Sequence, residues 1–283
     1  MPGTALSSST ARSKLMEDKA AMEDKFKGGL QHIPAGTALS LHSTRSSIIA
    51  RGRRDAANAA TNPHYRQGVT DYNDGNFTEA AVSFRLAAEQ GHAEAQYLLS
   101  MMCDAGQGLP LDDSEASYWE RKAAEQGHAY AQANLSFRYY AANNFPEAFA
   151  WCQSAAHSKL AWAQYNLGLM YRKGEGVQQS NTEAAYWYRL AATQNFAEAQ
   201  QKLADLYYFG QGVPLSYAQA AAWYRKAAEN GNAEAQFQLG HLYATGQGVE
   251  HDYTLCRHWI RQAAQQGHEQ AIRELKRREY RDP

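Results

Sequence analysis

The chain of 283 residues has little cysteine and little proline, and it has no long hydrophobic run. The three cysteines, Cys103, Cys152 and Cys256, are far apart and form no Cys-x-x-Cys pair. Such sparse usage predicts a reducing compartment, no disulfide framework and no structural zinc site. The seven prolines leave long helices possible. Because no stretch approaches 18 apolar residues, we expect no transmembrane helix.

Charge of one sign is also lacking, since the net charge of the whole chain is −1. The chain therefore offers no overall field for a polyanion, and we expect no nucleic-acid partner. The N-terminus lacks the apolar segment of a secretory signal, and early acidic residues such as Glu17 and Asp18 argue against a transit peptide. These features predict a cytoplasmic protein.

Residues 1–62 differ in composition from the rest of the chain. They are rich in Ser, Thr, Ala, Gly and Arg, and Phe26 is their one aromatic residue. Nine basic residues against five acidic ones give this segment a net charge of +4, which leaves −5 for the remainder. Such a segment cannot bury enough apolar surface to offset the entropy of ordering, so we predict a disordered tail. A short amphipathic helix through Leu15, Met22 and Phe26 is an alternative for part of it.

From about residue 63 the sequence repeats itself. The dipeptide Ala-Gln begins at positions 95, 131, 163, 199 and 235, in steps of 36, 32, 36 and 36 residues. Tryptophan recurs at positions 119, 151, 187, 223 and 259, in steps of 32, 36, 36 and 36. Two independent columns with one period and one shared deletion of four residues indicate tandem structural repeats.

The first half of each repeat has the apolar spacing of an α-helix. In residues 196–231 one apolar face consists of Ala199, Leu203, Leu206 and Tyr207. A Gly-x-Gly loop follows at 210–212, and its first glycine is typical of a left-handed C-terminal cap. The apolar residue after the loop, Val213 in this repeat, is expected to fold back and pack against the hairpin.

The second half of each repeat begins at a residue that favours helix N-caps, seven positions before the tryptophan column. These residues are Asn76, Asp112, Asn144, Ser180, Ser216 and Asp252. The helix that follows is expected to bury the tryptophan column and an Ala-Ala pair. It is expected to end at a closing column in which five of six residues tolerate a left-handed cap, namely Gly91, Gly127, Lys159, Asn195, Gly231 and Gly267.

Together the two halves predict antiparallel helical hairpins. We expect six of them, at 64–91, 92–127, 128–159, 160–195, 196–231 and 232–267, with a closing helix over 268–283. The hairpins at 64–91 and 128–159 lack the Gly-x-Gly loop and turn through shorter links.

Runs such as LGLMYRKGEGVQQSNTEAAYWYRLAA and LADLYYFGQGVPLSYAQAAAWYRKAAENG resemble the Sel-one-like repeat, a relative of the tetratricopeptide repeat. The resemblance covers roughly residues 64–283. It implies an all-α fold, an α/α solenoid whose hairpins form a right-handed superhelix. It also implies adaptor roles in assemblies, bacterial signalling and host interaction. A cysteine-rich branch linked to β-lactam binding has paired cysteines in each repeat, which this chain lacks, so that activity is not transferred.

Motifs of catalysis are missing from the sequence. It contains no Gly-x-x-x-x-Gly-Lys, Gly-x-Ser-x-Gly or His-Glu-x-x-His, and its Gly-x-Gly loops follow helices instead of strands.

Five basic residues of the closing helix could bind phosphates. They also suit the polar outer face of a terminal repeat and the C-terminus of a helix, which is the reading we favour. They are Arg273, Lys276, Arg277, Arg278 and Arg281.

The histidines and the remaining cysteines stand at positions that favour structural roles. A column just after the hairpin ends, His92, His128 and His268, is expected to supply polar residues at helix starts. A denser set is His241, His251, Cys256 and His258. A cap at Asp252 would keep His251 and His258 off a common helix face, so we predict no metal site.

Cys103 stands in a tyrosine column as a core residue, and Cys152 has no paired base. We predict no catalytic residues and no cofactor.

The first helices of the hairpins are expected to line a concave groove that binds a protein or peptide segment. By analogy with tetratricopeptide grooves, the exposed columns hold Tyr97, Tyr130, Phe137, Tyr140, Trp162, Tyr165, Arg172, Gln201, Asp205, Tyr208, Phe237 and His241. Aromatic residues and arginine dominate binding hot spots, and we place the centre at Trp162, Tyr165 and Arg172. The alternative is that some of these rings pack between adjacent hairpins.

The predicted function is therefore a non-catalytic, monomeric scaffold or adaptor. A second hypothesis is a bacterial effector delivered into host cells, because MPGTALSSSTAR lacks acids, contains several serines and resembles type III secretion signals. A third is an enzyme on a repeat scaffold, which no constellation of residues supports.

Overall fold

The computed structural model describes residues 62–279, with side chains described as far as Lys276. The predicted disordered tail, its alternative short helix and the secretion signal lie outside these residues. Between residues 62 and 279 there are thirteen α-helices and no β-strand, which confirms the all-α fold class. None of these helices is long and apolar enough to cross a membrane.

The helices fall into two compact units that divide between Asn144 and Phe145. The first unit contains α1 Pro63–Asp74, α2 Phe77–Glu89, α3 Ala93–Ala105, α4 Asp113–Glu125 and α5 Ala129–Ala141. The second contains α6 Phe145–His157, α7 Ala161–Lys173, α8 Asn181–Ala192, α9 Ala197–Phe209, α10 Tyr217–Glu229, α11 Ala233–Thr245, α12 Tyr253–Gln265 and α13 Glu269–Glu279. Odd-numbered helices are the first helices of the repeats and even-numbered ones the second helices. Within each unit a helix packs against its neighbours in sequence.

In three hairpins a glycine on the first helix faces a large residue on the second helix, and this pairing forms the centre of the hairpin. A Cβ added to Gly168 would lie 2.6 Å from the Tyr188 ring, and one added to Gly240 would lie 2.7 Å from Ile260. The fully buried column therefore follows the tryptophans by one residue. The prediction that the tryptophan column is buried holds for Trp119 and Trp187. It is wrong for the others, Trp151, Trp223 and Trp259, which are half-buried because they sit at the edge of the interface.

The predicted caps are largely confirmed. Side-chain oxygens of Asp112, Ser180, Ser216 and Asp252 accept hydrogen bonds from the first turns of the second helices. Asn76 differs, because its side chain makes no capping bond, and the cap at Asn144 stays a prediction. All members of the closing column have positive φ, including Lys159 at φ 63, although lysine rarely adopts this conformation.

Buried glutamines connect successive helices. The glutamine of each Ala-Gln dipeptide donates its Nε2 to a carbonyl of the preceding second helix, as Gln200 does to Ala192 at 3.1 Å. Its Oε1 accepts from the end of the following second helix, as Gln200 does from Asn230 at 2.9 Å. Gln132 is the exception, because its Oε1 has no partner among the described residues. The dipeptide that marks the repeat in the sequence is thus a polar link between three helices.

The Gly-x-Gly loops serve two purposes. Their first glycines have φ between 62 and 76 and end the first helices, as predicted. The second glycine contacts the start of the second helix of the preceding hairpin. A Cβ added to Gly212 would overlap the backbone of Asn181 and lie 2.6 Å from the Thr182 nitrogen. Only glycine allows this close approach, so the loop fixes how one hairpin stacks on another.

Candidate partner-binding face

Four of the twelve predicted binding residues are buried, so the expectation that they are exposed is wrong. Tyr97 and Tyr165 are at most 1% exposed, and Gln201 and Phe237 at most 7%. The physical reason is that the following hairpin covers this column. Tyr97 stacks on His128 with ring centroids 4.4 Å apart, and Phe237 stacks in the same way on His268 at 4.7 Å. The alternative of rings packed between hairpins is correct for this column.

The other eight predicted residues are half-buried, with part of each side chain facing solvent. They are Tyr130, Phe137 and Tyr140 in the first unit, and Trp162, Arg172, Asp205, Tyr208 and His241 in the second. Residues of this set on the same first helix are three, seven or ten positions apart, so within each helix they share one side. We call this half-exposed side of the odd-numbered helices the first-helix face.

Asp205 is the most tightly held residue of the first-helix face in the second unit. Its Oδ1 accepts a hydrogen bond from the Tyr224 hydroxyl at 2.6 Å, and its Oδ2 accepts one from Gln201 Nε2 at 2.6 Å. The Lys202 ammonium lies 3.8 Å from Oδ2. Burial raises the pKa of Asp205, although the Tyr224 hydrogen bond and the Lys202 charge oppose the rise. The carboxylate is therefore fixed in position by two neutral donors and the nearby Lys202 ammonium.

Arg172 lies on α7 beside two buried tyrosines. Burial raises the pKa of Tyr188, and the Arg172 guanidinium acts in the opposite direction on that hydroxyl. Burial likewise raises the pKa of Tyr165. Both phenols thus stay protonated at neutral pH, and the half-buried Arg172 lies at the solvent edge of the cluster. Trp162, on the same helix, has a buried Nε1 without a hydrogen-bond partner among the described residues.

His241 and Tyr208 complete the first-helix face of the second unit. The His241 Nε2 lies 3.2 Å from a carboxylate oxygen of Glu274, and the side chain of His241 is 44% exposed. Tyr208 packs edge-on against Tyr217 with ring centroids 5.3 Å apart. Both side chains therefore have a fixed orientation and an exposed edge.

The histidine column caps the first helices, as predicted. The Nδ1 of His128 accepts the backbone N–H of Ala131 at 3.2 Å, and its Nε2 contacts Glu94 at 2.8 Å. His268 repeats this arrangement with Glu234 at 3.0 Å. Burial acts to raise the pKa of Glu234, but hydrogen bonds from Gln238 and His268 outweigh it and lower the pKa.

The cysteines and the dense histidine set do not converge on a chemical site. All three cysteines are buried and none forms a disulfide within the described residues. Burial raises the pKa of the Cys103 thiol to about 12. Cys256 is buried whereas His258 on the same helix is exposed. Across residues 62–276 no three His, Cys, Asp or Glu side chains are grouped so that they could hold a metal ion.

Two basic residues of the closing helix are described. Arg273 pairs with Glu269 at 2.6 Å on the same helix, and Lys276 is exposed. The side chains of Arg277, Arg278 and Arg281 lie outside the described part of the chain. The phosphate-binding alternative therefore stays a prediction.

A charged triad in the first unit was not predicted. Arg138 donates its Nε to Glu120 at 2.7 Å and its Nη2 to Asp104 at 3.2 Å. Glu120 is 2% exposed, and burial raises its pKa while Arg138 opposes the rise. The sequence does contain a signal for the triad, because Glu120 stands in a column where the other repeats have an uncharged residue, such as Cys152 or Tyr188. Arg138 stands likewise in a column of leucine and methionine.

The fold and the first-helix face define a class of protein, the helical-hairpin repeat protein with a period near 36 residues. The Sel1 repeat family matches five segments, at 93–128, 129–159, 163–196, 197–232 and 233–268. These segments cover more than half of the sequence, and the chain belongs to this family.

Two solved structures have the same fold and substantial identity. One is a protective antigen, present in uropathogenic Escherichia coli strains, that displays an SLR fold. It is 33% identical with a TM-score of 0.69, over 80% of this chain and 50% of the antigen, so the chain spans half the length of that protein. The other is a Sel1 repeat protein from Oxalobacter formigenes, 30% identical with a TM-score of 0.66, over 74% of this chain and 85% of that one. No curated protein matches the chain.

Proposed function

We propose that this protein is a scaffold that binds a segment of a partner protein on the first-helix face. The observation that carries the proposal is a contrast between columns of the first helices. The packing column is constant, with leucine at Leu99, Leu135, Leu167, Leu203 and Leu239. Two residues further along, the next column holds Met101, Phe137, Leu169, Asp205 and His241, all of them half-buried except Leu169, which is buried. Folding requires the first column, and the chemical variety of the second suits recognition.

The geometry of the second unit supports the proposal. Asp205 and His241 are held by hydrogen bonds and ionic contacts to neighbouring helices, and Tyr208 by an aromatic neighbour. Side chains that are ordered in advance lose little entropy when a partner binds, so more of the contact energy appears as affinity. Half-buried tyrosine and arginine are also the residue types enriched in binding hot spots.

The test uses two variants of the second unit. Arg172→Glu with Tyr208→Ala changes the charge and the aromatic surface of the first-helix face. Its thermal midpoint is measured as well, because Tyr208 also packs against the buried core of the second unit. Tyr186→Ala is the matched control, because Tyr186 is 55% exposed on the second helix α8. Tagged proteins are crosslinked in the cells that express the chain, and captured proteins are quantified. The proposal expects a partner that the control retains and the double variant loses, and equal recovery by both would contradict it.

The remaining predictions on function are tested separately. The monomeric state is checked by light scattering of the purified chain, and the absence of catalysis by screening for bound metal, bound nucleotide and hydrolase activity. The effector hypothesis rests on residues 1–60, which lie outside the described part. A reporter fused to these residues that stays inside a secreting bacterium would remove that hypothesis.

A further inference from the structure

The charged triad of Asp104, Glu120 and Arg138 breaks the repeat pattern at two coupled positions. Other repeats fill the Glu120 column with residues such as Phe84, Cys152 or Ile260, and the Arg138 column with leucine or methionine. A hydrophobic pair at these positions would pack as it does elsewhere. A buried ion pair is rarely the more stable choice, because desolvation offsets much of the attraction. Stability therefore does not explain why the two exceptions occur together.

The triad reaches the first-helix face of the first unit. Asp104 stands at the same helix position as Tyr140, Arg172 and Tyr208, and its side chain is 39% exposed. Arg138 bonds to its Oδ1, and Oδ2 has no hydrogen-bond partner among the described residues. Because Arg138 is anchored at the other end by the buried Glu120, the Asp104 carboxylate is held with one oxygen facing solvent.

The charge of the triad selects between two kinds of ligand. One guanidinium opposes two carboxylates, so the triad as a whole is negative by one charge. With the triad included, the described residues of the first unit, 62–144, contain eleven acidic residues against five basic ones, a net charge of −6. A partner carboxylate aimed at Arg138 would meet this negative field, whereas an ammonium or guanidinium aimed at Asp104 would be attracted by it. Phe137 and Tyr140, on either side of Arg138 in sequence, add aromatic surface of the kind that favours cations.

We infer that Asp104, positioned by Arg138 and Glu120, binds a lysine or arginine side chain of the partner segment. This inference rests on the proposed function and adds the chemistry of the partner to it. Asp104 makes the contact, and Glu120 and Arg138 are positioning residues.

The test uses a library of displayed random peptides as the probe, selected on the full-length protein. Selected peptides are synthesised and their Kd measured by fluorescence anisotropy for the wild type and two variants. Asp104→Asn removes the charge that makes the contact. Glu120→Met with Arg138→Met replaces the positioning pair by residues typical of the packing columns. Its thermal midpoint is expected to equal or exceed that of the wild type, which separates positioning from folding.

The inference expects a basic residue at one fixed position of the selected peptides and at least a tenfold weaker Kd for both variants. A tenfold change corresponds to about 1.4 kcal/mol. Selection of peptides without a basic residue, or Kd values within twofold in Asp104→Asn, would contradict the inference and leave the proposed function standing. A thermal midpoint several degrees lower in the double methionine variant would assign the triad to packing and also contradict it.

Two further outcomes would show either that the Asp104 site binds a segment of this chain itself or that the proposed function is wrong. If a synthetic peptide of residues 1–61, which is basic overall, competes with the selected peptides and depends on Asp104, the occupant is this chain's own segment and not a partner. If the wild type selects no peptide at all, the proposed function itself fails, together with the inference that depends on it.

Discussion

Replacing Gln200 by alanine tests the polar links between hairpins most severely. Gln200 is fully buried and joins the Ala192 carbonyl to the Asn230 side chain. Its removal takes away two hydrogen bonds worth about 1 kcal/mol each, although the Ala192 carbonyl keeps the Asn195 N–H as a donor. It also leaves a cavity at a fully buried site, which costs about 1 kcal/mol more. We therefore expect Gln200→Ala to lower the free energy of unfolding by about 2–4 kcal/mol.

The assay is urea denaturation followed by circular dichroism, with Gln238→Ala as the matched control. Gln238 is half-buried, lies on the next first helix, α11, and bonds only within its own helix, to Glu234 at 2.7 Å. We expect the control to change the free energy of unfolding by less than about 0.5 kcal/mol. A loss for Gln200→Ala no larger than that of the control would refute the account of the glutamine links.

Three further predictions concern the loops, the thiols and the triad. Gly212→Ala should destabilise the protein far more than Gly231→Ala in thermal unfolding, because a Cβ meets the preceding hairpin at Gly212 and open space at Gly231; similar losses would contradict the stacking role of the loop. Cys103, with its pKa raised to about 12, should resist alkylation at pH 8 in the folded protein and react once urea unfolds it. The pKa of Glu120 is higher in the folded chain than its ordinary value of 4.5, so the folded state binds this proton more tightly than the unfolded state. As the pH falls from the raised pKa of the folded chain towards 4.5, the free energy of unfolding therefore increases. The variant Glu120→Met with Arg138→Met should therefore be as stable at pH 7 as the wild type, or more stable by up to about 4 kcal/mol, with an advantage that shrinks towards pH 4.5.

Local rules made most of the fold predictable from the sequence. A period of 36 residues, N-cap residues before the second helices and left-handed caps after them determine where helices begin and end. The prediction from the tryptophan column was only partly correct, because the size of tryptophan suggested a core position. The most deeply buried column is instead the one that follows it by one residue, represented by Tyr188 and Tyr224. Which of two adjacent columns is deeper depends on the facing small residue, such as Gly168, and that pairing is long-range information.

The candidate site was harder to predict, because exposure depends on the following hairpin. Helical spacing placed Tyr97 and Phe237 on the same side as Tyr208, but histidines of the next repeat cover them. The triad was visible as two exceptions, Glu120 and Arg138, in otherwise apolar columns. Only the packing of α5 on α4 shows that these exceptions belong together and reach Asp104.

The most direct measurement of the central claim is site-specific photo-crosslinking in cells that express the protein. A photoreactive amino acid replaces Tyr208 on the first-helix face, or Tyr186 on the second helix α8, and crosslinked products are identified by mass spectrometry. The account predicts a defined partner protein attached at position 208 and none at position 186. A partner attached at 186 and absent at 208 would contradict it.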